Sequence, residues 1–311
     1  MRTGASAVRL FGLGMMAAVM AFADIAMAQG TIENAGQFKA RDKFWIFGVR
    51  AGQDDTLIGR CAKPHPRFGS KVTPAEAALY LNVPNMIMVN CDGVPAPFSQ
   101  QAEDYAFTFT SMKKVLWSST GSGGYRAGNE EEFIVKLAEK HPNICGAFMD
   151  DFFGKFHNLK ESERTEKTRE LLKTIRAGLD KSKHPLELYV VWYTHETGAV
   201  DPSLFQYIDG ITLWTWDSKE LPQLEERFIK IEKNFPGKKK LLGIYLYDFK
   251  NYYPVPKDMM ELQCELGLKL MKEGRLDGLI FEANSVMGVG FPNDNWTRQW
   301  IQRVGETVVP K

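Results

Sequence analysis

The chain has 311 residues, 44% of them apolar, with 39 basic and 38 acidic side chains. That is enough apolar mass for one large core or two modest ones. An even charge balance, with basic residues mixed among glutamates along amphipathic segments, argues against a nucleic-acid binder, which carries a basic excess on one face. Four cysteines with no CxxC pair, and no histidine at ligand spacing to them, argue against a zinc site.

In chain order, the first 28 residues read as a secretory signal. Arg2 and Arg9 flank a charged start, Leu10 to Ala23 is apolar, and Ala26-Met27-Ala28 gives the small-x-small pattern of a cleavage site. The apolar part is too short for a comfortable membrane span, and an uncleaved anchor is the alternative. Cleavage after Ala28 removes Arg2, Arg9 and Asp24 and leaves basic and acidic residues equal in number. An exported, periplasmic or extracellular protein is expected, with residues 29–42 as an N-terminal extension and residues 43–311 as one domain.

Short apolar, β-branched and aromatic runs then predict eight strands, over 43–50, 85–90, 114–120, 144–151, 186–195, 209–217, 240–249 and 276–284. Amphipathic segments fill the gaps. Thr73-Pro74 with Glu76 opens a helix over 73–82, and a second is expected from Gln100 to Phe107. Further helices are expected over 129–142, 163–182, 220–237, 257–275 and 293–306. Strands alternating with helices imply parallel strands joined by right-handed crossovers, and eight such units predict an α/β fold, a (β/α)8 barrel. An open doubly wound sheet is the alternative, but no strand is followed by a GxGxxG turn. The GSGG run at Gly121 to Gly124 lacks the Lys-Ser/Thr of a phosphate loop and is expected to be a flexible loop. Links from helix to strand are short and links from strand to helix are long, as in a barrel with a tight bottom and a loop-rich top.

The carboxyl ends of the strands carry the polar and aromatic residues. Asp150 and Asp151 lie in GAFMDDFFG, an apolar run in which two adjacent acids are costly to bury without partners or a task. Neighbouring strand residues point to opposite faces, so both acids can approach one cavity only where the pleat ends. Two close carboxylates resist joint ionisation, which suits one to hold a proton beside an anion. Glu282 sits between Phe281 and Ala283 in another apolar strand. Asp217 is a candidate acid, or a cap for the segment after it. These four are the candidate catalytic residues. Alternative roles are loop bonding for Asp151 and pairing with Arg50 or a lysine for Asp150. His195 reads as a loop residue before a catalyst. Arg50, Asn90, Asp248, Asn284, Trp192, Tyr193, Trp214, Trp216, Tyr245 and Tyr247 are candidate substrate-binding residues, since flat rings with polar tips suit the apolar faces and hydroxyls of sugars.

With this layout the chain resembles (β/α)8 glycoside hydrolases. FMDDFF is similar to the Asp-Asp signature after the fourth strand in O-GlcNAc hydrolases. That resemblance implies that Asp150 orients a substrate acetamido group and that Asp151 is the general acid. A second resemblance, to α-galactosidase-type barrels with acids on strands four and six, implies Asp150 or Asp151 with Asp217. The two-glutamate arrangement on strands four and seven is absent. A cofactor-free glycosidase is expected, with a carbohydrate as its partner. The alternatives are a non-catalytic carbohydrate-binding barrel and a metal-dependent hydrolase using Asp54, Asp55, Asp150 and Asp151. Cys61 and Cys91, on the top loops of neighbouring units, are expected to form a disulfide, and Cys145 and Cys264 to be buried thiols.

Overall fold

A computed structural model of the chain describes residues 37–52, 70–151, 156, 159–196 and 201–311. Eight parallel strands close into a barrel. They are β1 (Phe44–Gly48), β2 (Asn85–Met88), β3 (Lys114–Thr120), β4 (Ile144–Met149), β5 (Glu187–Tyr193), β6 (Gly210–Trp214), β7 (Lys239–Tyr245) and β8 (Gly278–Glu282). Each pairs with its neighbours in sequence, and β8 pairs with β1, Glu282 standing opposite Phe47. The (β/α)8 expectation is met.

The outer layer holds α1 (Pro74–Leu81), α2 (Gln100–Thr108), α3 (Glu130–Lys140), α4 (Glu161–Leu179), α5 (Leu224–Asn234), α6 (Lys257–Lys272) and α7 (Pro292–Val304). Helix α1 starts where the sequence says it should. The Thr73 hydroxyl accepts from the Glu76 N–H, and the Glu76 carboxylate accepts from the Thr73 N–H. The fifth crossover departs from the repeat. Its described residues form two 3-10 turns, Thr194–Glu196 and Pro202–Tyr207, in place of an α-helix. Beneath the barrel, Gln37–Lys39 pairs antiparallel with Val308–Pro310, tying the two ends of the described chain together. No helix among the described residues is long and apolar enough to cross a membrane. Cys145 and Cys264 are thiols, the second fully buried and the first half-buried.

Strand alternation divides the aromatic residues between two layers. Outward, Trp300 of α7 packs on Phe44 and Phe281, and Trp192 meets Phe235 edge-on at 4.8 Å. Inward, Phe47 meets Phe148 at 5.9 Å and Trp214 at 5.6 Å. The Trp214 indole occupies space that β7 leaves open at Gly243, where a Cβ would lie 2.0 Å from the ring. This fills the barrel with side chains beneath its upper rim.

Two side chains organise the loops above that rim. Asn284, fully buried just past β8, accepts from the Val49 N–H at 2.8 Å and donates to the carbonyls of Val49 and Val72 at 2.9 and 2.8 Å. It locks the ends of β8 and β1 to the entry of α1. Asp248, also buried, accepts from the Ser218 N–H and hydroxyl at 3.0 and 2.5 Å, and from the Lys250 and Asn251 N–H groups at 3.0 and 2.7 Å. It joins the loops after β6 and β7. Burial pushes the Asp248 carboxyl upward, but the hydrogen bonds from Ser218 and Asn251 outweigh it and hold the group below its ordinary 3.8.

Asn284→Ala leaves three backbone groups without their partner and is expected to cost about 2–4 kcal/mol of stability in chemical denaturation. Because the folded Asp248 pKa is depressed, its contribution is complete above about pH 3.8. That contribution is lost as pH falls through the lower folded value. Asp248→Asn is therefore expected to lower stability at neutral pH and to flatten the acid limb of the stability curve; unchanged neutral stability would contradict this assignment.

Candidate active site

At the carboxyl ends of the strands lies a cleft with an empty volume of about 570 Å³, open mouth included. Asp150, Asp151 and Glu282 all line it, with Phe47, Tyr193, Trp214, Trp216, Tyr245 and Phe249 as its aromatic walls. The period of two is visible in its lining: Phe47 and Val49, Val89 and Cys91, Val191 and Tyr193, Trp214 and Trp216.

The two adjacent acids reach one cavity by the route that the pleat requires. Asp150 continues β4 through its N–H, which donates to the Thr120 carbonyl at 3.0 Å, and its side chain faces inward. At Asp151 the chain turns into the left-handed region, φ 42°, which a short polar residue tolerates better than most. The turn swings its carboxylate back to the same cleft. There Oδ2 accepts the Gly123 N–H at 2.9 Å, and Oδ1 accepts the Tyr193 hydroxyl. Glu282 ends β8 and enters from the other side of β1. Loop bonding, an alternative role for Asp151 in the sequence, is thus present in the Gly123 contact, but it leaves the carboxylate in the cleft.

The phenols complete the electrostatics. Burial, followed by the electrostatic influence of Tyr245 and of the carboxylates Asp150 and Asp151, pushes the Tyr193 hydroxyl well above its ordinary value. Burial, followed by the charges of Glu282, Asp151 and Asp150, does the same to Tyr245. Both remain neutral hydroxyls across any working pH, able to donate and accept hydrogen bonds. Trp216 is the most exposed of the cleft's rings, at 37%. It stacks on Phe249 at 6.2 Å with 22° between planes, and meets Tyr193 and Tyr245 edge-on. This wall is an aromatic cluster with one ring partly in solvent.

Several expected site residues lie elsewhere. Asp217 is not among the cleft-lining residues. It caps the 3-10 turn Ser218–Gln223 by accepting from the Lys219 N–H at 3.1 Å, and it pairs with Lys250 at 3.1 Å and Asn251 at 2.9 Å. Burial pushes it upward, but these contacts prevail and hold its carboxyl below the ordinary value. The capping role is the one its geometry serves. Asp248 and Asn284 are the loop organisers described above. Trp192 has the opposite parity from Tyr193, so it packs outward on Phe235 and donates its indole N–H to the Glu196 carbonyl at 2.9 Å. Tyr247 leaves the pleat in a small hairpin with Tyr253–Pro254 and stacks on Phe291 at 5.4 Å. Asn90 faces away between Val89 and Cys91 and donates to the Pro95 carbonyl at 3.3 Å. Arg50 is buried, donating to the Cys91 carbonyl and reaching Asp92 at 3.4 Å. Exposed His195 stacks on the outer face of Tyr193 at 5.4 Å.

Tyr193, Trp214, Trp216 and Tyr245 do line the cleft. Sequence reasoning missed Phe47, Cys91, Ser122, Phe249 and Ser285; the strand parity that places Tyr193 inward would also have found Phe47 and Cys91. The Gly121–Gly124 run, expected as a flexible loop, contains the 3-10 turn Ser122–Gly124 whose N–H holds Asp151. Cys91 Sγ lies 3.7 Å from Asp92 Oδ2, and Cys61, its expected disulfide partner, lies outside the described residues. Asp54 and Asp55 lie outside them too, and among the described residues no group of three or more His, Cys, Asp or Glu could hold a metal ion.

No protein-family model and no curated protein sequence matches the chain. Solved structures match it in fold at low identity. A GH99 endo-alpha-mannosidase from Bacteroides thetaiotaomicron superposes with a TM-score of 0.52 at 9% identity, over 85% of this chain and 97% of that one. The PgaB (BpsB) glycoside hydrolase domain from Bordetella bronchiseptica gives 0.51 at 8%, over 82% and 98%. A protein from Acinetobacter baumannii assigned as a 2-pyrone-4,6-dicarboxylic acid hydrolase gives 0.50 at 12%, over 84% and 92%. What these likenesses establish is the closed (β/α)8 architecture, a fold that hosts several chemistries.

Proposed function

We propose that the protein is an exported glycoside hydrolase acting on a polysaccharide or oligosaccharide. The observation that carries this reading is the convergence of Asp150, Asp151 and Glu282 on one cleft beside the half-open Trp216. The carboxylates supply proton transfer and charge at a reacting centre. The indole supplies a flat apolar face, and the neutral phenols supply hydroxyl partners for a sugar. The glycosidases among its fold-mates are in keeping with this reading. The N-terminal Arg2, Arg9, Leu10–Ala23 and Ala26-Met27-Ala28 pattern supports export.

In this mechanism Asp151 is the acid/base. Its proton passes to the leaving oxygen as the bond from the anomeric carbon to that oxygen breaks. Asp150 is the nucleophile or orienting partner, and Glu282 faces them as the third carboxylate. Water supplies the hydroxyl that ends on the anomeric carbon and the proton that restores the acid, so one water is consumed per bond cleaved.

The test is turnover by the purified protein on a panel of polysaccharides and of 4-nitrophenyl and phenyl glycosides of common hexoses and N-acetylhexosamines. Asp151→Asn is expected to lower kcat by ~10²–10⁴-fold with the fold intact, Glu282→Gln is expected to impair turnover, and Asp217→Asn is expected to leave it within about twofold. Glycan binding without turnover, indifferent to the acid variants, would favour a binding barrel instead. Export predicts a secreted form whose N-terminal residue is Gln29; a mature protein still starting at Met1 would remove that part of the proposal.

A further inference from the structure

The glycine-rich run after β3 has no phosphate-binding motif, yet the fold gives it a task. We infer that the Gly121–Gly124 turn and Tyr193 form a two-sided positioning device for Asp151, and that Tyr193 aims the acid instead of stacking on a sugar. This rests on the reading of Asp151 as acid/base.

A carboxylate on a two-bond stem is fixed when each oxygen is held from a different direction. Here the Gly123 N–H reaches Oδ2 at 2.9 Å from the β3 side, and the Tyr193 hydroxyl reaches Oδ1 from the β5 side. The turn itself is anchored. The Ser122 N–H donates to the Asn90 carbonyl at 3.0 Å, and the Gly121 N–H to the Tyr125 carbonyl at 2.9 Å. A Cβ at Gly121 would lie 2.1 Å from the Asn90 carbonyl oxygen, so the turn can approach β2 this closely only with glycine there. The next turn of chain is clamped as well. Half-buried Arg126 donates to the Ser119 carbonyl at 2.6 Å and to both oxygens of Glu131 at 2.7 and 2.9 Å.

The arrangement suits a residue that gains and loses a proton. A backbone N–H can only donate, so Oδ2 always accepts. The Tyr193 hydroxyl donates to Oδ1, and each carboxyl oxygen has two lone-pair sites, so the proton bound for the leaving oxygen takes a site that neither donor fills. Tyr193 also hydrogen-bonds Tyr245, a second contact at its hydroxyl. Its ring stacks with His195 at 5.4 Å and meets Trp216 edge-on at 6.0 Å. Phenylalanine fills the same space and cannot donate to Asp151.

The test uses Tyr193→Phe and Gly121→Ala in the full-length protein, with thermal melting to follow folding. On the 4-nitrophenyl and phenyl glycosides of the panel above, Tyr193→Phe is expected to lower kcat tenfold or more with KM within about twofold. The loss is expected to be larger with the phenyl glycosides, whose poorer leaving group depends more on the acid. A wild-type kcat, or a raised KM with kcat unchanged, would overturn the inference and make Tyr193 a wall of the sugar site. Full activity in Asp151→Asn would instead remove the acid/base reading and the inference with it. A second readout needs no substrate. In protein labelled with 13C at aspartate Cγ, the resonance assigned through Asp151→Asn should move in both Tyr193→Phe and Gly121→Ala; an unmoved resonance in folded variants would overturn the device.

Discussion

The pleat of a β-strand sends neighbouring side chains to opposite faces, and the site depends on how the chain escapes that rule. Two adjacent acids inside β4 would put one into the barrel and one into the helix layer. Ending the strand at Met149 and turning Asp151 to φ 42° places both in the same cleft. Ring closure then brings Glu282 to the opposite wall, because β8 pairs with β1 as well as with β7. A backbone held in an uncommon conformation at a polar site is the kind of local cost that a fold retains where the side chain has work to do.

The acids of the mouth fall into two groups by whether they line the cleft. Asp217 and Asp248 receive backbone N–H groups, and Asp217 also pairs with a lysine; both are held below the ordinary carboxylate range, and both stitch loops together. Asp150, Asp151 and Glu282 line the cleft instead, within the electrostatic reach of two phenols kept neutral by burial. The same residue type thus stitches loops in one place and, in the proposed mechanism, acts as reagent in another, and environment makes the division. Trp214 and Trp216 divide in the same way. Trp214, seated against Gly243, is a floor of the barrel, while Trp216, two residues on, has a face in solvent.

Much of this was legible in the sequence, and most of the failures lie just beyond the strand ends. Apolar runs gave the eight strands, and the capping box at Thr73 and Glu76 gave the start of α1, because those signals are local. No helix was expected in the fifth crossover, whose 3-10 turns carry no helical period to read. The convergence of Asp150, Asp151 and Glu282 followed from their place at strand ends. The direction of a side chain just beyond a strand did not. Tyr247 departs in a hairpin, Asn284 folds back on Val49, and Arg50 turns toward Asp92, each through contacts made after the pleat has stopped. Trp192 is different, since parity alone would have sent it outward once Tyr193 was placed inward. Gly123 escaped notice because its contribution is a backbone N–H, which leaves no trace in residue type.

The account's central claim is that the acids of β4 and β8 and the exposed face of Trp216 hold one sugar chain between them. A crystal structure of Asp151→Asn with an oligosaccharide that the wild type cleaves would test it most directly. The account predicts a sugar ring stacked on Trp216 and a glycosidic oxygen within hydrogen-bonding reach of residue 151. A glycan bound away from the cleft, or one whose scissile oxygen is out of reach of residues 150, 151 and 282, would contradict it.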